Sequence, residues 1–254
     1  MSKKIDRTGE VGVNNDGEKM VIVRYGNSKD IDVEFVNDGT VIKNRRYGDF
    51  KRGEIKNPMT PNVYGVGYFG IGKFKSCDEN GKLTKCYRTW FDMLKRCYDP
   101  KYQDKYPTYK GCKVCPEWHN FQVFAEWYYS NFYEIENEPM ALDKDILHKG
   151  NKLYSPDNCI FVPQFINNLF VKNNTSRGNC YIGVNKYEDK FVAHVNKGNS
   201  KLIHLGYYTT PELAFLAYKE AKESYIKEVA EKYKQKIPHE AYEALMNYEV
   251  EIDD

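Results

Sequence analysis

The chain has 254 residues, room for one large domain or two to three small ones. Its 38 Lys and Arg against 36 Asp and Glu give a formal charge of +2, which excludes a wholesale polycation yet allows a local basic face. A 41% hydrophobic fraction and 22 Tyr exclude a disordered chain, and no apolar run is long enough to cross a membrane. Seven Cys, with no secretory signal at the start, predict a reduced, cytoplasmic protein.

Residues 8–74 read as small and β-rich. Met20 and Ile22 alternate with Val21 and Val23, and Ile31, Val33 and Phe35 alternate with Asp32 and Glu34. Turn signals at Asn15-Asp16-Gly17 and Asn37-Asp38-Gly39 separate the runs, which predicts a small barrel or curled sheet. Gly65, Gly67, Gly70 and Gly72 contain G-x-G-x-x-G. A hairpin-like stretch with a turn at Glu79-Asn80-Gly81 follows instead of a helix, so these glycines are read as a bend or bulge.

Two helical stripes come next. Trp90, Met93, Leu94 and Cys97 form one, and Trp118, Phe121, Phe124, Ala125 and Tyr128 the other; both are predicted core. Cys112-x-x-Cys115, in the loop between them, is half of a zinc site. Structural Zn²⁺ would need two further ligands, with Cys86, Cys97, Cys159 and His119 as the candidates and buried free thiols as the default.

The last segment, from about residue 176, reads as three strands (181–187, 190–196 and 202–207) and a helix opened by Thr210-Pro211-Glu212, with Leu213, Leu216, Ala217 and Ile226 on its apolar stripe. Phe191, Ala193 and Val195 are expected to face that helix, as are Ile203 and Leu205. Lys190, Val192, His194, Asn196 and His204 are expected to face out. Arg177, Lys186, Lys190, Lys197 and Lys201 outweigh Glu188 and Asp189, which predicts a modestly basic sheet face. The runs Tyr181-Ile182-Gly183-Val184, Phe191-Val192-Ala193-His194-Val195 and His204-Leu205-Gly206-Tyr207, with the Ala-containing helix after them, resemble the ethylene-response-factor (Apetala-type) DNA-binding domain. The resemblance covers about 55 residues and implies a sheet docked in the major groove of double-stranded DNA. It implies DNA contacts at Asn185, Tyr187, His194, Asn196 and His204, to which the basic residues Lys186, Lys190 and Lys201 are added. Ile182 stands where that family has Arg, so fewer bidentate base contacts are expected.

The middle stretch reads as strand, Gly150-Asn151 turn, strand, helix. Leu142-Asp143-Lys144-Asp145, then Asp157-Asn158-Cys159-Ile160, then Asn167-Asn168 resemble the HNH core of phage homing endonucleases, and Trp90 to Trp118 resembles the leader that precedes this core in many phage proteins. The resemblance implies Asp143 and Asn167 as ligands for Mg²⁺ or Mn²⁺, and Asn158 as the residue that fixes the hairpin. The family's base His is replaced by Lys144, whose ordinary pKa of about 10.4 leaves it protonated. That residue is read as a phosphate contact first and a catalytic group second, and His148 is the substitute base.

The expected architecture is α+β with three modules: 1–80 β-rich, 81–174 HNH-like and 175–254 Apetala-type. Three functions compete. They are a metal-dependent DNA endonuclease or nickase, a DNA-binding regulator that keeps the HNH scaffold without cleavage, and a phage factor that binds a host protein.

Overall fold

The structure is a computed structural model that describes residues 5–170, 180–198 and 202–252. Lys201 and the expected junction near 172–176 lie outside the described residues. The fold is mixed α and β with several small sheets. The first elements are β1 (Val11–Val13), β2 (Lys19–Asn27), β3 (Asp30–Phe35), β4 (Val41–Arg45), α1 (Tyr47–Lys51), α2 (Lys85–Tyr98) and α3 (Pro100–Lys105). There follow β5 (Lys113–Val114), α4 (Phe121–Asn131), β6 (Met140–Asp143), β7 (Leu153–Tyr154), β8 (Ile160–Pro163) and α5 (Gln164–Asn168). The last are β9 (Val184–Tyr187), β10 (Lys190–Asn196), β11 (Leu202–Tyr208), α6 (Pro211–Tyr233) and α7 (His239–Met246). No described helix is long and apolar enough to cross a membrane.

The chain divides into two compact units. One comprises Met1–Asp99 and Pro116–Ala125, the other Pro100–Cys115 and Glu126–Asp254. These limits differ from the expected 1–80, 81–174 and 175–254. The stretch 81–174 is shared between the units, and the last nine elements, from β6 onward, fall in one unit, in which α6 takes part in two cores.

In the first unit β1 to β4 form an antiparallel meander. The alternating Met20 and Ile22, and Ile31, Val33 and Phe35, turn inward as expected and meet Phe50 and Ile55. Arg24 braces the β2–β3 hairpin, with contacts of 2.6 Å to Asp30 and 2.7 Å to Asp32, and its charge holds both carboxyls below their usual range. Thr84 caps α2 by accepting the Tyr87 amide, and Cys86, Trp90, Met93, Leu94 and Cys97 are buried as its inner face. The glycines between the meander and α2 serve close approach. A Cβ on Gly67 would lie 2.4 Å from Leu94, and one on Gly70, where φ is +74°, 2.0 Å from Asn120.

In the second unit β6 and β8 pair antiparallel, with Asp143 opposite Ile160, and α5 follows β8 directly. The expected hairpin is therefore present, but its second strand is 160–163. The intervening loop sends β7 to pair in parallel with β5, Lys113 opposite Leu153. The three late strands form the expected antiparallel sheet in the order β11-β10-β9. Thr210 caps α6 by accepting the Leu213 amide, and Pro211 opens it. Helix α6 has two partners. Ala214, Phe215 and Tyr218 pack with Val184, Ala193 and Val195 of the sheet. Ile226, Val229, Ala230 and Tyr233 pack with Ile160, Val162, Ile166 and Leu169 of the hairpin and α5, joined by Ala241 and Leu245 of α7. The expected stripe was partly misplaced: Leu213 and Leu216 are 48% and 56% exposed. The helix carries apolar residues on more than one face, and the sheet selects the one that begins at Ala214.

Gly183 sets the approach of the sheet to α6. Its φ is +75°, and a Cβ there would lie 2.0 Å from the Tyr218 ring. Gly183→Ala is expected to lower stability by about 2 kcal/mol in urea unfolding. In a Tyr218→Ala background the same change should cost less, because the steric part of the penalty disappears.

Candidate nucleic-acid interface and candidate metal centre

The outer face of the β9–β11 sheet follows from its register. Asn185 pairs with Val192 and Tyr187 with Lys190, so these four share the face turned away from α6. Lys186 pairs with Phe191, which packs in the core with α6. Strict alternation therefore puts Lys186 on the helix side of the sheet, where it is exposed at the edge strand.

A bulge reshapes β11. Ala193 pairs with Gly206 but His194 pairs with His204, so Leu205 is an extra residue on the outer strand. Three positions apart, His204 and Tyr207 would point to opposite faces of a regular strand. The bulge brings both to the outer face, with Tyr207 opposite Val192. The result is a row of rings across all three strands. Tyr187 and Tyr207 have centroids 5.7 Å apart, Tyr207 and His204 4.9 Å, and His204 and His194 5.3 Å. Both tyrosines are more than half exposed, while Val192 beneath them is buried. The sequence reading missed Tyr207; Gly206, a residue that favours bulges, was the signal available.

His194 is half-buried, and its Nδ1 is enclosed without a hydrogen-bond partner. Burial, then the neighbouring His204, holds its pKa below the ordinary 6.5, so the ring is neutral at neutral pH. Asn196 shares the outer face, and its Oδ1 accepts the Gly198 amide at 2.9 Å in the turn after β10. Arg177 and Lys201, counted in the sequence reading, lie outside the described residues. Lys197 is paired with Glu228 of α6 at 3.3 Å, which leaves Lys190 as the lysine on the face among the described residues of the three strands. Rings and amides, more than charge, define the surface.

The hairpin places Asp143 at the end of β6 and Asn167 on α5, which packs against β6 and β8. Asp143 Oδ1 accepts two backbone amides, from Asp145 at 2.6 Å and Ile146 at 2.7 Å. Burial pushes its carboxyl above the usual range, and those two amides oppose the shift. Lys144 is 5% exposed. Its Nζ donates to Asp145 Oδ2 at 2.6 Å and to the Asn151 carbonyl at 2.7 Å, above the Tyr154 ring. Asn151 answers by donating to the carbonyls of Lys144 and Leu153. The ammonium thus pins the 144–153 loop. His148 is exposed at the tip of that loop. Asn158 Nδ2 reaches the Leu153 carbonyl at 3.4 Å, a bond across the loop of the kind expected for a residue that fixes the hairpin.

Cys112, Cys115 and Cys159 are buried free thiols of this unit. Burial raises the pKa of Cys112 and of Cys159, which disfavours the thiolate a metal requires. Among the described residues no group of three or more His, Cys, Asp or Glu is placed to hold a metal ion, so the donor set for structural Zn²⁺ does not close. Comparison of the chain with family models, curated proteins and solved structures gives no match.

Lys144→Met should lower stability by about 1–3 kcal/mol, because the Asn151 carbonyl and Asp145 lose a charged donor. Amide exchange in the 144–158 loop should accelerate with it. A variant that kept full stability and protection would assign Lys144 a role other than holding the loop.

Proposed function

We propose that the chain binds double-stranded DNA through the outer face of the β9–β11 sheet. The observation that carries this is the ring row Tyr187–Tyr207–His204–His194, flanked by Asn185, Asn196 and Lys190 on one face of a three-stranded sheet braced by a helix. A twisted sheet of this size fits the major groove. Asn amides match adenine edges there, the imidazoles offer donors and acceptors, and Lys190 meets phosphate. The arrangement is the one implied by the resemblance to Apetala-type domains, and the phage-type setting is implied by the leader and hairpin motifs.

Fluorescence anisotropy with duplex DNA tests this. Binding should weaken with salt, and Lys190→Ala should reduce the salt slope by about one. Asn185→Ala and His204→Ala should each cost about 1–3 kcal/mol on the preferred sequence and less on random DNA. Binding indifferent to all three changes would sink the proposal.

A second reading rests on a different observation: β6, β8 and α5 form strand, strand, helix, with Asp143 ending the first strand and Asn167 on the helix. Asp143 and Asn167 would hold Mg²⁺ or Mn²⁺, with water and a DNA phosphate completing the shell. The bound ion would stabilise the leaving 3′ oxygen. Within this reading His148 is the candidate base, since Lys144 is engaged in the loop, and the enzyme would be a nickase or endonuclease of the HNH type. Supercoiled plasmid incubated with Mg²⁺ or Mn²⁺ is expected to be nicked by the wild type. Asn167→Ala and Asp143→Asn, which retains the acceptor for the two amides, should both abolish the nicking. Intact plasmid alongside retained DNA binding would leave the chain as a binding protein on an HNH-like scaffold.

A further inference from the structure

A cavity of about 730 Å³ opens in the second unit between α5, the start of β9 with the end of β10, and the middle of α6. Its position follows from the helix. Tyr218, Lys222 and Ile226 recur at four-residue intervals and so share one face of α6. Tyr218 belongs to the sheet core and Ile226 to the hairpin core. Between them, where the stripe calls for an apolar side chain, stands Lys222.

No ion pair or hydrogen bond engages the Lys222 ammonium among the described residues. Burial alone acts on it, lowering its pKa to about 8, and no carboxylate nearby opposes the shift. It is the one lysine or arginine on the described wall. The one carboxylate there, Glu138, already accepts the Tyr233 hydroxyl at 2.6 Å. His194 turns into the same wall and carries its enclosed, unpartnered Nδ1. The rings of Phe165 and Tyr218 and the amides of Asn185 and Asn196 also line it. An amine held in a low-dielectric position without a countercharge is costly, and a bound anion removes that cost through charge-assisted hydrogen bonds. The volume lies in the range of small-molecule sites, in which a few polar groups fix an otherwise apolar ligand.

We infer that this cavity binds a nucleotide, its anionic phosphate meeting Lys222 and its planar base meeting the rings and amides. The chemistry is shared by a free mononucleotide and by an unpaired nucleotide of DNA. Asn185, His194 and Asn196 are shared with the outer-face interface, whereas Lys222 belongs to the cavity alone, so the Lys222 variants test this site separately.

The test is calorimetric titration of the full chain with adenosine and thymidine monophosphates, beside adenosine and inorganic phosphate. The monophosphates are expected to bind, and each control to bind about tenfold or more weakly. Lys222→Met should weaken monophosphate binding about ten- to a hundredfold, with the thermal midpoint held or raised, and Lys222→Arg should restore it. Should the Met variant not fold, the wild type supplies the second measurement. Titration near pH 8.5 in buffers of different ionisation enthalpy should show net proton uptake, because the anion raises the amine pKa, and affinity should fall as pH rises further. Absence of saturable binding, equal affinity for adenosine, a Lys222→Met variant of unchanged affinity, or binding without proton uptake would each overturn the inference. Displacement of the bound monophosphate by a duplex with one unpaired nucleotide, but not by a fully paired one, would identify DNA as the source. Failure of both duplexes to displace it would identify the free nucleotide.

Discussion

The second unit depends on one constraint: a single 23-residue helix has to bury its apolar stripe in two cores at once. The first half of α6 covers the inner face of the three-stranded sheet. The second half covers the β6–β8 hairpin, α5 and α7. Neither sheet is large enough to bury a core by itself, since one has three strands and the other two. Each buried Ile, Val or Phe contributes about 1.5–3 kcal/mol, and on α6 these contributions add to both cores through one rigid rod. The end of the chain reinforces the arrangement. Val250 is buried beside the sheet core, its amide donates to Glu223 of α6, and Lys219 of α6 donates to its carbonyl. The acidic stretch from Glu249 therefore includes a packed and hydrogen-bonded residue.

Most of the elements were legible because their signals are local. The strands of the meander follow period-two alternation, α2 declares itself through its periodic apolar residues, and α6 through its Thr210 cap. What escaped was set by tertiary choice. Leu213 and Leu216 fit a helical stripe as well as Ala214, Phe215 and Tyr218 do, and only the sheet decides between them. The bulge at Leu205–Gly206 reverses the facing of Tyr207, and alternation counted from His204 cannot foresee an inserted residue. Lys186 was placed by composition when its register partner Phe191 puts it on the other face. The two-unit division was hidden because the Cys112–Cys115 loop pairs with a strand forty residues later, a contact with no local signature.

The hairpin shows how one set of atoms can be claimed by two roles. Asp143, Lys144 and Asn151 form a closed set: the carboxylate caps two amides, the ammonium bridges Asp145 and the Asn151 carbonyl, and the Asn151 amide returns to Lys144. Such a set rigidifies the loop, and removing one member leaves the others unsatisfied in a partly buried place. A metal centre at the same carboxylate would use an oxygen other than the doubly bonded Oδ1, or would displace the amides. The identity of the residue after Asp143 thus matters to the fold as well as to the chemistry. A histidine there could act as a base, whereas the longer lysine reaches across the loop and ties it down.

The proposed recognition surface is constrained in the same manner. With Lys190 as the lysine on its outer face among the described residues and Lys197 held by Glu228, the described part of that face has little long-range pull on a polyanion. Its discrimination must come from contact groups held in fixed positions, and the ring row supplies that rigidity: aromatic side chains have few rotamers, and each ring here rests on the next. His194 ends the row and also turns into the cavity beside Lys222. A ligand in the proposed cavity site that met its unpartnered Nδ1 would fix the tautomer of His194, the ring that the cavity wall and the outer face share.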